Sequence, residues 1–294
     1  MSKERTKGGS AMKNNYEKKI IPMTSVDSGI GEQITNDLYY LPIQIVNVIF
    51  YGHPGEGNDW VLIDAGMPRS ADNIINEAEE RFGKNNPPKA LILTHGHFDH
   101  VGAIVELIDK WNMPVFAHPL ELPFLTGEQD YPEPDPTVEG GLLAKISPYY
   151  PNEAIVLDRN LETLPADGTV PFMDGWKWIH VPGHTQGQVA LFRETDRALI
   201  AADAFVTVRQ DSLYKVFTQE VEITGPPRYL TIDWEAAKAS VSALASLNPD
   251  IAITGHGRPV SGAELHDGLR NLVDRFDEIA LPDYGKYVDG EVND

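Results

Sequence analysis

Residues Thr94-His95-Gly96-His97-Phe98-Asp99-His100 place three imidazoles and one carboxylate in a single short stretch. Neutral imidazole and carboxylate are the donors that suit zinc, iron or manganese. Ahead of them runs Lys89-Ala90-Leu91-Ile92-Leu93-Thr94, a short apolar segment, and behind them Val101 to Lys110 carries apolar residues at helical spacing. The polar cluster therefore occupies a loop between a buried strand and a helix. Four such side chains on so tight a turn cannot all face the core. His95 and His97 can point to one side while Asp99 and His100 reach the other, which predicts two metal ions side by side. A lone histidine is more often a surface or satisfied core residue; it is the density of donors that turns the reading toward a metal site.

Three further loops offer the same residue types at strand ends. Trp176 to Val181 leads into Pro182-Gly183-His184-Thr185-Gln186-Gly187, Ala198 to Ala202 delivers Asp203, and Ile251 to Thr254 delivers Gly255-His256-Gly257. Small neighbours let the backbone approach closely in each. Asp64, at the end of Trp60-Val61-Leu62-Ile63, reads equally as a turn residue or as a group that orients a ligand. His118 stands alone before a proline and reads as structural.

The elements that must position these loops follow from pattern. Leu41 to Tyr51 reads as a strand, joined by turn chemistry at 52–58 to a second strand ending at Asp64, together a hairpin. Ala71 to Phe82 reads as a helix with Ser70 as N-cap and Gly83 as stop. Met113 to His118 looks like a short strand. From 119 to 151 seven prolines interrupt the pattern, and this stretch is expected to form a lid that walls the substrate. A second β-rich layer then runs through 154–157, 169–171, 176–181, 189–192 and 198–202. A helix is expected from Asp233 to Leu247, a strand from Ile251 to Thr254, and a last helix from about Gly262 to Ile279. The two halves share a rhythm of strands, helix and final strand, which predicts two similar layers packed face to face.

Composition narrows the function. Twenty-four basic against 44 acidic residues give a net charge of −20, which repels nucleic acid and anionic membranes. The absence of cysteine excludes disulfides and thiolate ligands. No apolar run approaches the roughly 18 residues of a membrane span, and the N-terminus lacks the apolar stretch of a secretory signal. A cytoplasmic protein is the expectation. Residues 1–19 read as a disordered tail, with a leader ending near Met12, and 20–294 as one domain.

The order THGHFDH, PGHTQG, a strand-terminal Asp and GHG resembles the metallo-β-lactamase superfamily in its dinuclear HxHxDH form, over about residues 45 to 275. Ala202-Asp203-Ala204-Phe205 and Gly225-Pro226-Pro227-Arg228 also resemble a bacillus-type branch of hydrolases. The resemblance implies an α/β (α+β) fold, a four-layer αββα sandwich with two divalent metal ions at one edge of its sheets. It implies that His95, His97 and His184 bind the first ion, that Asp99, His100 and His256 bind the second, and that Asp203 bridges them. Zinc is the expected metal, with iron and manganese as alternatives.

A water between two such ions is acidified toward neutrality and attacks a carbonyl, with Asp99 steering it and carrying a proton to the leaving group. Hydrolysis of an ester or lactone of a small molecule is the first expectation. Thioester hydrolysis of the glyoxalase II kind is the alternative, weakened because only 38 residues (294 − 256) follow His256 where those enzymes carry a longer helical region. β-Lactam hydrolysis and a non-catalytic metal-binding module rank lower. Dizinc β-lactamases often use a cysteine, and no donor motif here is broken. Quorum-signal lactonases place a tyrosine three residues after the bridging Asp, where this chain has Val206; Tyr214 or Tyr150 are the candidate substitutes. Lys215, Arg228 and Arg258 are candidates for gripping a substrate carboxylate, and Phe205 with Tyr214 for an apolar pocket. The expected partner is a small-molecule substrate rather than nucleic acid or membrane, and a homodimer is compatible with the sequence.

Overall fold

The apolar run at 41–51 forms two strands, not one. In the computed structural model, which describes residues 12–16, 19–21, 23–139 and 141–288, β1 (Glu32–Gln33) precedes β2 (Leu38–Ile43), which pairs antiparallel with β3 (Val46–Tyr51). The chain reverses at Gln44, whose φ of 59° is left-handed and which carries no turn signature. β3 pairs antiparallel with β4 (Val61–Ile63), the expected hairpin partner. From there the sheet continues in parallel through β5 (Leu91–Ile92), β6 (Val115–Ala117) and β7 (Leu161–Thr163), in spatial order β1 to β7. Parallel neighbours need crossovers, which α1 (Ala71–Phe82) and α2 (Ile104–Trp111) supply.

The second sheet contains β8 (Trp176–His180), β9 (Val189–Arg193), β10 (Ala198–Ala202), β11 (Ile251–Thr254) and β12 (Val260–Ser261), ordered β12-β11-β10-β9-β8. Only β10 and β11 are parallel, and their register slips between Ile200 and Ala202. The stretches at 154–157 and 169–171 contribute isolated bridges rather than strands. The edge strand β7, within a segment rich in Asp, Asn and Glu, had no apolar signal.

Three apolar clusters separate four layers. Ile74, Phe82, Ile104 and Leu107 pack beneath Val48, Phe50, Leu62 and Leu91 on the outer face of the first sheet. Ile49, Ile63 and Ile92 meet Trp176, Leu191, Ile200 and Ile253 between the sheets. Leu199, Ala201 and Ala252 are covered by α6 (Trp234–Ser246) and α7 (Gly262–Asp274). The architecture is the expected αββα sandwich. The last helix breaks at Arg275 into α7 and α8 (Phe276–Ile279). Ser70 does not cap α1; its hydroxyl donates to the Met67 carbonyl instead, at 2.7 Å. Among the described residues no helix is long and apolar enough to cross a membrane.

The expectation for the N-terminus changes. Residues 12–16 were expected in a disordered tail, yet Met12 and Tyr16 are buried in the first-sheet cluster. Asn14 donates to the carbonyls of Val101 and Gly102 at 3.3 and 3.0 Å. Residues 1–11, which hold most of the expected leader, lie outside the described residues. The segment 119–151, expected as a lid, is folded: it carries α3 (Leu122–Leu125) and α4 (Gly141–Ile146), and Phe124, Leu125, Tyr131, Leu143 and Tyr150 are buried. The short α5 (Leu213–Thr218) lies between β10 and α6.

Candidate metal centre

Each donor-bearing loop leaves the end of a strand on the same edge of the sandwich. The loop after β5 presents His95, His97, Asp99 and His100. The β8–β9 connection presents His184, and β10 and β11 end at Asp203 and His256. The parallel pairing of β10 with β11, with Gly255 N–H donating to the Ala202 carbonyl at 2.8 Å, places the last two side by side. All seven predicted residues are brought into one buried cluster.

Three overlapping trios have donor atoms within 4.8 Å of one another: His95, His97 and His184; His95, His100 and Asp203; Asp99, His100 and His256. Asp203 stands between the outer two. Its Oδ2 is 3.4 Å from His184 Nε2 and 3.2 Å from His256 Nε2, and its Oδ1 is 3.7 Å from His100 Nε2. His97 Nδ1 and His184 Nε2 face each other at 2.9 Å. His95 Nε2, His100 Nε2, Asp99 Oδ1 and Asp203 Oδ1 are buried without a hydrogen bond. Orphaned buried polar atoms are costly, and four of them, imidazole and carboxylate, spread over the three trios fit bound cations that would satisfy them.

The backs of the imidazoles are held. His100 Nδ1 donates to Asp64 Oδ2 at 2.8 Å, and the same carboxylate accepts from Thr94 N–H and Thr94 Oγ1, both at 2.8 Å. Asp64 is thus both turn residue, at a φ of 60°, and orienting group. His256 Nδ1 donates to the Ile45 carbonyl at 2.8 Å, leaving Nε2 toward the cluster. Asn47, which drew no attention in sequence, donates to the carbonyls of Thr254 and Gly257 at 2.9 and 2.6 Å and so fixes the loop of His256. His184 Nδ1 is 3.2 Å from Thr231 Oγ1.

Electrostatics divide the cluster. Burial pushes His95 and His97 well below the usual histidine range and His184 down to about 4, so these imidazoles stay neutral and available as ligands. Burial also acts against charge on His100, but the carboxylates of Asp64, Asp203 and Asp99 outweigh it and hold His100 high. Asp203 is held well below the carboxylate range because His256 and His100 outweigh its burial. Asp99 goes the other way, pushed up by burial.

The remaining candidates separate cleanly. His118 stacks on His180 at 4.3 Å, outside the trios. Phe205 is core, and Tyr214 is 68% exposed. Tyr150 is buried against Phe98 and Tyr229, and the Asp99 carboxylate lies near enough to add to the upward shift that burial gives both phenols. Lys215 pairs with Glu222 at 2.5 Å, Arg258 with Asp27 at 2.6 Å, and Arg228 with Glu139 and Asp211 at 3.3 and 3.5 Å.

Comparison with known proteins agrees with this geometry. The sequence model of the Metallo-beta-lactamase superfamily matches residues 42–256. A Bacillus subtilis (strain 168) protein described as "Probable metallo-hydrolase YflN" is 46% identical over 259 residues, spanning 88% of this chain and 98% of its own. A second from the same organism, "Probable metallo-hydrolase YybB", is 28% identical over 70% of this chain and 79% of its own. The solved structure of MEM-A1, a subclass B3 metallo-beta-lactamase isolated from a soil metagenome library, shares the fold with a TM-score of 0.54 at 22% identity, over 79% of this chain and 81% of that one.

Proposed function

This chain belongs to the metallo-β-lactamase superfamily and is a metal-dependent hydrolase, and on that premise we propose that it cleaves an ester or lactone of a small, uncharged molecule. The observation that carries the reading is the completeness of the cluster: His95, His97 and His184 would hold one ion and Asp99, His100 and His256 the other, with Asp203, grouped with His95 and His100, between them. Zinc is the assigned metal, and iron and manganese share the donor preference. Bound there, such ions would supply an acidified water at neutral pH and polarisation of the scissile carbonyl.

The chain's own residues supply the rest. Asp203, held ionised, serves as a permanent donor. Asp99, whose Oδ2 lies 3.4 Å from His256 Nε2 at the edge of the cluster, is the carboxylate proposed to take a proton and return it to the departing alkoxide. Tyr150 packs against Phe98 and Tyr229 beside Asp99, an aromatic surface next to the cluster. The three cations that could have gripped a substrate carboxylate are each neutralised by an internal acid, which favours an uncharged substrate.

The test is metal content by mass spectrometry on protein purified without chelator, with a panel of lactones, esters and thioesters assayed on the same sample. Two equivalents with turnover of lactone or ester are expected, together with loss of turnover in a folded His97→Ala. Two equivalents with turnover confined to thioesters would refute the substrate class, and turnover by the metal-free protein would refute the mechanism.

A further inference from the structure

One buried carboxylate outside the donor trios joins two of the loops that form them. Glu121 closes the 3-10 turn Pro119–Glu121 and is fully buried. Its Oε2 accepts from the Gly96 N–H at 3.0 Å and from the Tyr131 hydroxyl. Its Oε1 accepts from Thr185 Oγ1 at 2.7 Å and from the Gly187 N–H at 2.9 Å. Gly96 separates His95 from His97, and Thr185 follows His184. The two loops are 87 residues apart in sequence (184 − 97), and this carboxylate spans them. Tyr131 strengthens the link: its hydroxyl also accepts from the Gly96 N–H at 2.9 Å, its ring centroid lies 4.7 Å from that of His97, and it stacks on Phe124 at 4.0 Å.

The loops are shaped to admit this pair. A Cβ on Gly96 would stand 2.6 Å from the Tyr131 hydroxyl, and one on Gly187 would stand 2.8 Å from Glu121 Oε1. A buried carboxylate is costly unless its lone pairs are met by donors. Here two donors face each oxygen, and no apolar side chain of the same volume could hold both loops at once.

We propose that Glu121 is a positioning residue for the metal centre: its carboxylate ties the loop of His95 and His97 to the loop of His184 and sets the spacing of the donors to one ion. The proposal rests on the reading of those three histidines as ligands of a common ion. The Asp99, His100 and His256 trio is held by different groups, Asp64 and the Ile45 carbonyl, so the effect of Glu121 is selective for one of two ions.

Glu121→Gln tests this at constant volume. An amide has one oxygen, and either orientation turns its NH2 onto the donors of one loop, releasing that loop. Full-length wild type and variant, stripped of metal, are titrated with zinc against a chromophoric chelator. Cobalt titrations followed by absorption give the geometry at each ion, and thermal unfolding reports the fold. The expected result is two tight equivalents for wild type. For the variant, one equivalent is unchanged and the other weakened about 10- to 100-fold, with an altered cobalt spectrum for that ion alone. Thr185→Val and Tyr131→Phe, which each remove one donor, should show smaller losses of the same kind.

A variant that melts earlier yet binds both equivalents as wild type does would make Glu121 merely structural and overturn the proposal. Should Glu121→Gln not fold, unaltered binding in both single-donor variants would overturn it equally. Wild type that binds no more than one equivalent would instead overturn the ligand assignment, and this proposal with it.

Discussion

The buried imidazoles set a pH dependence that the metal-free protein should display. His184 sits at about 4 because burial penalises its charged form, and His95 and His97 are shifted in the same direction. Unfolded histidine titrates near pH 6.5. Below that value the unfolded chain takes up protons that the folded chain refuses, so folding stability is intact above about pH 6.5 and lost as pH falls. Between pH 6.5 and 5 the loss for His184 alone is about 1.5 units at about 1.36 kcal/mol each, or about 2 kcal/mol; His95 and His97 add to it.

Other groups do not cancel this. His100 and His256 have raised proton affinity, so the stability they contribute is fully present below about pH 6.5 and is lost only as pH rises through their folded values. They add no slope in the acid window. Asp99, raised by burial, binds its proton earlier in the folded state and offsets part of the loss. Against a domain stability of roughly 5–15 kcal/mol, the net effect is large. Urea denaturation of chelator-stripped protein at pH 6.5 and pH 5 measures it. A midpoint that stays level or rises on acidification would refute the account of neutral, buried imidazoles.

Three further outcomes follow from single contacts. Asp64→Asn keeps a residue type that tolerates the left-handed backbone, but its single oxygen can meet His100 Nδ1 or the Thr94 N–H and not both, so either the tautomer of the ring or the turn that carries the His95 loop is disturbed. Affinity for one ion should fall about 10- to 100-fold, or about 1.4–2.8 kcal/mol; unchanged chelator competition would count against it. Tyr16→Ala should cost about 3 kcal/mol in urea denaturation, because the ring is buried in the core; a loss under about 1 kcal/mol would return residues 12–16 to the status of a tail. Asn47→Ala removes two hydrogen bonds to buried carbonyls of the His256 loop and should cost about 2 kcal/mol by thermal or urea unfolding. No measurable loss would show that water replaces the amide.

The candidate donors were legible in sequence because each stands where a continuous apolar run stops, and a strand that is buried on both faces must deliver its next polar residue to an edge. That logic needs only local pattern, so it located all four loops and both sandwich layers. It fails where the decisive partner is remote. Gln44 turns the chain without turn chemistry because β2 and β3 gain six paired positions by reversing there. Residues 12–16 are held by the Asn14 amide on the carbonyls of Val101 and Gly102 and by Met12 and Tyr16 in the core. Glu121 looked like part of a proline-broken stretch, since its partners come from positions 96, 131, 185 and 187 and no periodicity connects them. One local sign of it was present: each of two histidine-bearing loops has a glycine within three residues of its histidine, Gly96 and Gly187. A glycine in a loop that needs no positive φ, as at Gly96 and Gly187, marks a place where another group presses on the backbone. Two such places on neighbouring ligand loops imply a common occupant between them, and an occupant facing backbone N–H groups on both sides has to be an acceptor.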